Sequence, residues 1–137
     1  MGVVENIALN AELLTDYIFM LRIRYNIIIV RVNMSLINEL QNNNDEKRIE
    51  NILEYISDDV KNKLYTEEQI RELLLIFRNY NLLSMKYETR EQVLYTLMNI
   101  SYEYGIKDDE LINNLNSIRN GLEDDLNEYI DEIKIPR

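Results

Sequence analysis

The side chains best suited to acid–base or metal chemistry stand in three acidic clusters, Asp58-Asp59, Asp108-Asp109-Glu110 and Glu123-Asp124-Asp125. Neighbouring carboxylates can hold hard metal ions or exchange protons during hydrolysis. None of the three has the Gly-containing loop spacing of a calcium-binding hand, and two of them stand where a predicted helix begins. Because the helix macrodipole favours negative charge at that end, we assign the clusters to helix capping and solubility.

The sequence has no Cys and no His, which removes most of the chemistry that proteins use. A thiolate nucleophile, a Cys/His zinc site, a Ser-His-Asp triad and an imidazole acid–base group are all excluded. The enzymatic functions that stay open use carboxylate, Lys or Tyr chemistry. A small carboxylate enzyme is the alternative of this class, but no feature of the sequence supports it, so we expect no enzyme and no metal or cofactor. Without Cys no disulfide can form, and residues Met1 to Asn10 lack the pattern of a secretory signal, so we expect an intracellular location.

The charge balance indicates protein partners. Among 137 residues, 25 acidic side chains oppose 15 basic ones, which gives a net charge of −10. This charge repels nucleic acid and anionic lipid. Ten tyrosines suit the rim of a helical core or a protein interface, because the basic groove that a base-stacking platform needs is missing. Arg22, Arg24 and Arg31 form the one local basic patch; pairing with the acidic last helix is favoured over contact with membrane or nucleic acid.

Composition predicts an all-α fold, because only three Gly and one Pro interrupt the chain. The length corresponds to one domain, residues 1–137. The longest apolar stretches, Ile27–Val30 and Leu73–Phe77, are far shorter than the ~20 residues of a membrane span. Leu73–Phe77 suits a buried core better than an exposed partner site.

Hydrophobic periodicity places three helices in the first half of the chain. The first runs from about Asn10 to Tyr25, and the second carries Met34 to Leu40. Ile27–Val30 between them is β-branched; a short strand would have no partner, so we predict a buried turn. The third helix covers about Asp45–Leu64, with a break near Ser57-Asp58-Asp59.

Capping signals place four helices in the second half. Thr66-Glu67-Glu68-Gln69 and Thr89-Arg90-Glu91-Gln92 both read as capping boxes, which predicts a helix start at each Thr. The helix after Thr89 carries no charge between Glu91 and Glu103, so other helices should surround it, and Gly105 should cap its end. One helix begins at Asp108-Asp109-Glu110 and the last at about Leu122. The prediction is about seven helices around a buried central helix.

The order of these segments resembles the Bcl-2-like immunomodulators of poxviruses. Leu14–Phe19 is similar to the first-helix signature of that family, and Leu36–Leu40 to its second helix. Val93–Gly105 resembles the buried fifth helix, closing here on Tyr-Gly, and Leu111–Ile133 resembles the two closing helices. Met20 stands where the family has Trp, and the Asn-Trp-Gly-Arg motif of cellular Bcl-2 proteins is absent.

The resemblance implies a Bcl-2-like bundle that acts by binding host proteins, in one of two ways. One group of the family suppresses innate signalling toward NF-κB and interferon-response factors. The other inhibits apoptosis by holding a helix of pro-death Bcl-2 proteins in an apolar groove. For such a groove the resemblance implies apolar walls, an apolar floor and a cation for the ligand's Asp. The candidates are Ile52, Ile56, Leu73 and Phe77 for the walls, Leu97 for the floor and Arg90 for the cation.

The resemblance also implies an assembly and a location. Members often form homodimers through the first and sixth helices, where Tyr17, Leu21, Ile112 and Ile118 are the candidates. The expected location is the host-cell cytoplasm. No hydrophobic tail follows Ile135, so the chain is a tailless member or has lost an anchor that reaches the mitochondrial surface.

Overall fold

A computed structural model describes the backbone of residues 2–133 and the side chains of residues 10–133. The prediction of an all-α fold is confirmed, since the described residues form six α-helices, two 3₁₀ turns and no strand. The 3₁₀ turns are Leu82–Ser84 and Arg119–Gly121. The helices are α1 (Gly2–Gln41), α2 (Glu46–Lys61), α3 (Glu67–Arg78), α4 (Tyr87–Glu103), α5 (Asp109–Ser117) and α6 (Asp124–Glu132).

The chain divides into two compact units, residues 1–32 and residues 33–137. The first unit is a single helical segment, the greater part of α1. The second holds the end of α1 and the other five helices. In the described part of the chain, no helix combines the length and the apolar character that crossing a membrane requires. The predicted absence of a tail after Ile135 lies outside the described residues.

Helix α1 is continuous, so the predicted break at Ile27–Val30 is wrong. The four residues are helical, and Ile27, Ile28 and Val30 are exposed rather than buried. Ile and Val cost only about 0.5 kcal/mol each in a helix relative to Ala, and no Gly or Pro lies between Asn10 and Gln41. Nothing in this stretch is strong enough to end the helix.

The boundaries of α2 and α3 follow their capping residues. The Asp45 side chain accepts a hydrogen bond from the Lys47 N–H at 3.0 Å, and α2 runs past Asp58-Asp59 without the predicted break. The capping box at Thr66 is confirmed. The Thr66 hydroxyl accepts from the Gln69 N–H at 3.2 Å, and the Gln69 side chain accepts from the Thr66 N–H at 3.0 Å.

The capping box predicted at Thr89 is wrong. Helix α4 begins two residues earlier, at Tyr87, and Thr89 is fully buried inside its first turn. The Thr89 hydroxyl donates to the Glu50 carboxylate at 3.1 Å, while the N–H of Lys86, the residue before the helix, donates to Glu46 at 2.7 Å. Two carboxylates of α2 therefore accept hydrogen bonds from the Lys86 N–H and the Thr89 hydroxyl at the start of α4, where the sequence predicts a local capping box.

Helix α4 is the buried centre of the second unit, as its lack of charge predicts. It packs against α2 and α6, and α3 packs against α5. All but Leu75 of the Leu73–Phe77 stretch is buried, which fits the core interpretation. The apolar side chains with no measurable exposure are Leu53, Ile56 and Val60 of α2, Leu73 of α3, Val93, Leu94, Leu97 and Ile100 of α4, and Leu126 of α6.

A buried polar chain crosses the contact between α2 and α4. The Asn99 amide donates to the Ser57 hydroxyl at 3.2 Å, and Ser57 donates to the Thr96 hydroxyl at 3.2 Å. The Thr96 hydroxyl in turn donates to the Gln92 carbonyl at 2.8 Å. Each hydroxyl therefore has a partner, and the chain fixes the register of the two helices without leaving a buried hydroxyl unsatisfied.

The end of α4 carries the predicted glycine cap. Gly105 has φ 77°, a left-handed conformation that L side chains rarely adopt, and its N–H bonds to the Ile100 carbonyl at 3.1 Å. The last helix begins at Asp124 rather than at Leu122, because residues Arg119–Gly121 form a 3₁₀ turn first.

The phenol of Tyr104 ties the end of α4 to the linker between α2 and α3. It accepts a hydrogen bond from the Tyr65 N–H at 3.1 Å and donates one to the Tyr65 carbonyl at 2.8 Å. Tyr104→Phe removes both, so we expect the free energy of unfolding to fall by about 1–2 kcal/mol in urea denaturation. Tyr55→Phe, on a tyrosine that is 66% exposed, is the control and should change it by less than about 0.5 kcal/mol. Equal effects would contradict this role for Tyr104.

Candidate interaction surface

Thirteen of the seventeen exposed large apolar side chains of the described residues lie on residues 13–32 of α1. These residues form one helix, and the first unit contains no second element for it to pack on. Soluble proteins rarely leave a large group of neighbouring apolar side chains exposed, and such a group typically marks an interaction site. The exposed large apolar side chains are Leu13, Leu14, Tyr17, Ile18, Phe19, Met20, Leu21, Ile23, Tyr25, Ile27, Ile28, Val30 and Val32.

This surface is basic, whereas the second unit is acidic. Residues 13–32 contain Arg22, Arg24 and Arg31 against one carboxylate, Asp16, while residues 33–137 carry 12 basic and 22 acidic side chains. All three guanidinium groups belong to exposed residues. Their predicted pairing with the acidic last helix would join the two units and stays a prediction. A partner for this surface therefore needs apolar side chains and a charge that does not repel the arginines.

The five apolar groove candidates lie inside the second unit. Ile52 and Ile56 belong to α2, Leu73 and Phe77 to α3, and Leu97 to α4. None is more than 3% exposed. In this structure they form part of the hydrophobic core.

The cation candidate, Arg90, is engaged by the protein itself. Its Nη1 atom lies 2.5 Å from a carboxylate oxygen of Glu123, and its Nε donates to the Met85 carbonyl at 2.8 Å. The pKa of the Glu123 carboxyl is lowered, first by its own backbone N–H and then by the Arg90 guanidinium. Arg90 thus ties the first turn of α4 to the residue that precedes α6, and a ligand carboxylate would have to displace Glu123.

The dimer candidates divide between the two units. Tyr17 and Leu21 are exposed on the first unit. Ile112 and Ile118, at α5 and just after it, are half-buried against the core of the second. The dimer through these four residues stays a prediction.

Tyrosines of α4 hold α6 against that helix. The sequence indicates only that tyrosines suit the rim of a helical core, and it does not show which groups they bond to. Tyr87 donates to Asp125, and this hydrogen bond is the main cause of the raised pKa of its phenol. Tyr102 donates to Glu132 at 2.5 Å. Between these ties lies a groove of about 420 Å³ whose ionisable lining is acidic apart from the Tyr129 phenol. The groove suits cations, but its nearest carboxylates already accept hydrogen bonds from tyrosines.

A second cavity, of about 490 Å³, lies between the end of α1 and α3. Its wall includes Asn43 and Asn44, which lie between α1 and α2, and Tyr80. The Tyr80 hydroxyl is buried without a hydrogen-bond partner, and burial raises the pKa of Tyr80 to about 12. The ring packs edge-on against Phe77 at 5.9 Å, so the phenol is held by packing alone.

Two of the three acidic clusters lie at the start of a helix, where negative charge favours capping. Asp108 caps α5, and Asp124 and Asp125 stand in the first turn of α6. Asp58 and Asp59 lie inside α2, where burial is the main cause of the raised pKa of Asp59. Within residues 10–133 no group of three carboxylates is placed to hold a metal ion.

Comparison of the chain with protein-family models, with characterised proteins and with solved structures finds no significant match. The described surfaces and the resemblance of the sequence are therefore the basis for a functional proposal.

Proposed function

We propose that this chain is a non-enzymatic protein that suppresses host innate signalling toward NF-κB and interferon-response factors by binding a host protein. The observation that carries the proposal is the apolar, arginine-bearing surface of residues 13–32. Thirteen large apolar side chains of this segment are exposed to water, an arrangement that favours a partner-binding role. The pathway comes from the resemblance to the poxvirus Bcl-2-like family, and action in the host-cell cytoplasm goes with it.

The placement of the carboxylates supports binding over catalysis. A carboxylate enzyme needs two acids that converge in a cleft with separated pKa values. Here Asp108 serves as a helix cap, Glu123 pairs with Arg90, and Asp125 and Glu132 accept from tyrosine phenols. These groups are committed to holding helices together.

A reporter assay in human cells tests the proposal. Expression of the chain should reduce NF-κB-dependent or interferon-response-factor-dependent transcription after stimulation at least several-fold. Phe19→Asp, which places a charge on a side chain that is 63% exposed in the basic apolar surface, should abolish the reduction. Tyr55→Asp changes an aromatic of similar exposure in α2, and it should leave the reduction intact. Unchanged transcription with well-expressed protein would refute the proposal.

The apoptotic function is the competing proposal, and the state of its groove residues disfavours it. An inserted helix needs open walls, whereas all five apolar candidates are buried and Arg90 is paired with Glu123. We therefore expect calorimetric titration with a panel of pro-death helix peptides to give no binding at micromolar concentrations. Submicromolar binding that Arg90→Glu abolishes would replace our proposal with the apoptotic one.

A further inference from the structure

The exposed surface of α1 contains a regular apolar stripe. Six of its side chains follow one another at alternating spacings of four and three residues, which is the heptad pattern of a coiled coil. Each of the six is between 44% and 62% exposed. The stripe consists of Leu14, Ile18, Leu21, Tyr25, Ile28 and Val32.

The stripe ends where the second unit begins. The residue after Val32, Asn33, is 1% exposed, and its amide donates to the Leu64 carbonyl at 3.0 Å. From Leu14 to Val32 the stripe is about 27 Å long at 1.5 Å per residue. It spans nearly three heptads, and the continuous α1 helix holds all of it in one line.

We propose that the stripe pairs with the same stripe of a second copy, as a parallel, in-register, two-stranded coiled coil. In the heptad, Ile18, Tyr25 and Val32 occupy the a positions. Leu14, Leu21 and Ile28 occupy the d positions. β-Branched residues at a with Leu at d favour two parallel strands, and two of the three residues at each position fit this rule.

The arginines select the parallel orientation. In a parallel pair, the g position of one helix lies beside the following e position of the other, so Tyr17 meets Arg22 and Arg24 meets Ile29. No like charges are brought together there, and the Tyr17 ring offers Arg22 a cation–π contact. An antiparallel pair that matches the same six apolar residues would place Arg22 beside its own counterpart and Arg24 beside its own, which is repulsive.

A second copy fits this segment better than a lipid surface. A helix that lies in a membrane interface has one apolar face and one polar face. Here Phe19, Ile23 and Val30 are apolar and lie on the side opposite the stripe. The excess of carboxylates in residues 33–137 would also be repelled by anionic lipid.

Light scattering of the full chain at tens to hundreds of micromolar tests the pairing. We expect a mass of twice the 16.5 kDa of the chain. Ile28→Glu, at a d position, should return the mass to that of the monomer. Ile23→Glu is the matched control, because it makes the same change at an f position of the same exposed helix and should leave the dimer intact. Circular dichroism of both variants checks that the helices persist.

Three results would overturn the proposal. The first is a monomer at every concentration, which is also the result if residues 14–32 are covered within their own chain. The second is an assembly larger than a dimer, and the third is a dimer that Ile28→Glu leaves intact. Binding to phosphatidylserine vesicles by a chain that stays monomeric in solution would identify lipid as the partner instead.

A disulfide test fixes the orientation. The chain has no Cys, so Ile28→Cys introduces a single thiol. With oxidised glutathione as the oxidant, a parallel pair should form a disulfide-linked dimer in high yield, since the two introduced thiols face each other at the same d position. In the antiparallel register the two thiols would lie about 15 Å apart and remain unlinked.

The pairing does not depend on the proposed function. Phe19→Asp in the reporter assay tests signalling, at a position outside the stripe, whereas Ile28→Glu in light scattering tests assembly. A chain that dimerises but leaves transcription unchanged refutes the proposed function alone, whereas a monomeric chain that reduces transcription refutes the pairing alone.

Discussion

Replacing Leu97 with Ala is expected to lower the free energy of unfolding by about 3–4 kcal/mol. Leu97 lies at the middle of α4, the central helix of the second unit, and its side chain is 0% exposed. Truncation removes the transfer free energy of the lost methyl and methylene groups and leaves a cavity that neighbours on α2 and α6 fill only in part. Urea denaturation followed by circular dichroism at 222 nm measures the change.

Leu75→Ala is the matched control, because it truncates the same residue type on α3 at a side chain that is 48% exposed. Its effect should stay below about 1 kcal/mol, since little buried volume is lost. A Leu97→Ala variant no less stable than Leu75→Ala would show that Leu97 faces an open groove that water fills. The pair of variants therefore distinguishes the core position of Leu97 from the groove position that the resemblance implies.

The sequence predicted the interior of the second unit well, because helical periodicity reports burial directly. Seven of the eleven residues between Glu91 and Glu103 are buried, and Gly105 has the left-handed conformation of a helix cap. Burial alone does not say what a side chain faces. Ile52 and Ile56 in α2 repeat at the period of a buried face, as do Leu73 and Phe77 in α3, whether that face meets a groove or a core.

Two local signals of equal strength had different outcomes. Thr66 and Thr89 each precede Gln by three residues, yet only Thr66 caps a helix. The difference comes from Glu46 and Glu50, which lie about 40 residues before the start of α4 and satisfy the groups of its first turn. A partner so distant in the sequence cannot be identified from a four-residue pattern.

The break predicted in α1 failed for a related reason. Ile27–Val30 reads as a buried turn if the chain is assumed to fold into one core, because such an apolar run should avoid water. Helix propensity alone gives no reason to stop there. In the structure the run stays helical and Ile27, Ile28 and Val30 are exposed, so burial in the core of the second unit does not account for its apolar character.

The second prediction with a large expected effect concerns Asp108. One oxygen of its carboxylate accepts from the Leu111 N–H at 3.0 Å and caps α5, while the other lies 2.6 Å from Nη2 of Arg78 on α3. Asp108 is 9% exposed. Asp108→Ala should lower the free energy of unfolding by about 2 kcal/mol through the lost cap and the lost ion pair, since Arg78 then keeps only its contact with the exposed Glu110 carboxylate at 3.2 Å. Urea denaturation at pH 7 measures the total.

Two neighbouring variants separate these contributions. Asp108→Asn keeps a side-chain oxygen for the Leu111 N–H but removes the charge that Arg78 meets, so its stability should fall between those of the wild type and Asp108→Ala. Asp109→Ala removes an exposed first-turn carboxylate next in the sequence, and its effect should stay below about 0.5 kcal/mol. If Asp109→Ala costs as much as Asp108→Ala, the cluster acts only through its charge at the start of α5. A larger loss at Asp108 would show that its carboxylate acts through its specific bonds to the Leu111 N–H and to Arg78 of α3, and not through negative charge at the start of α5 alone.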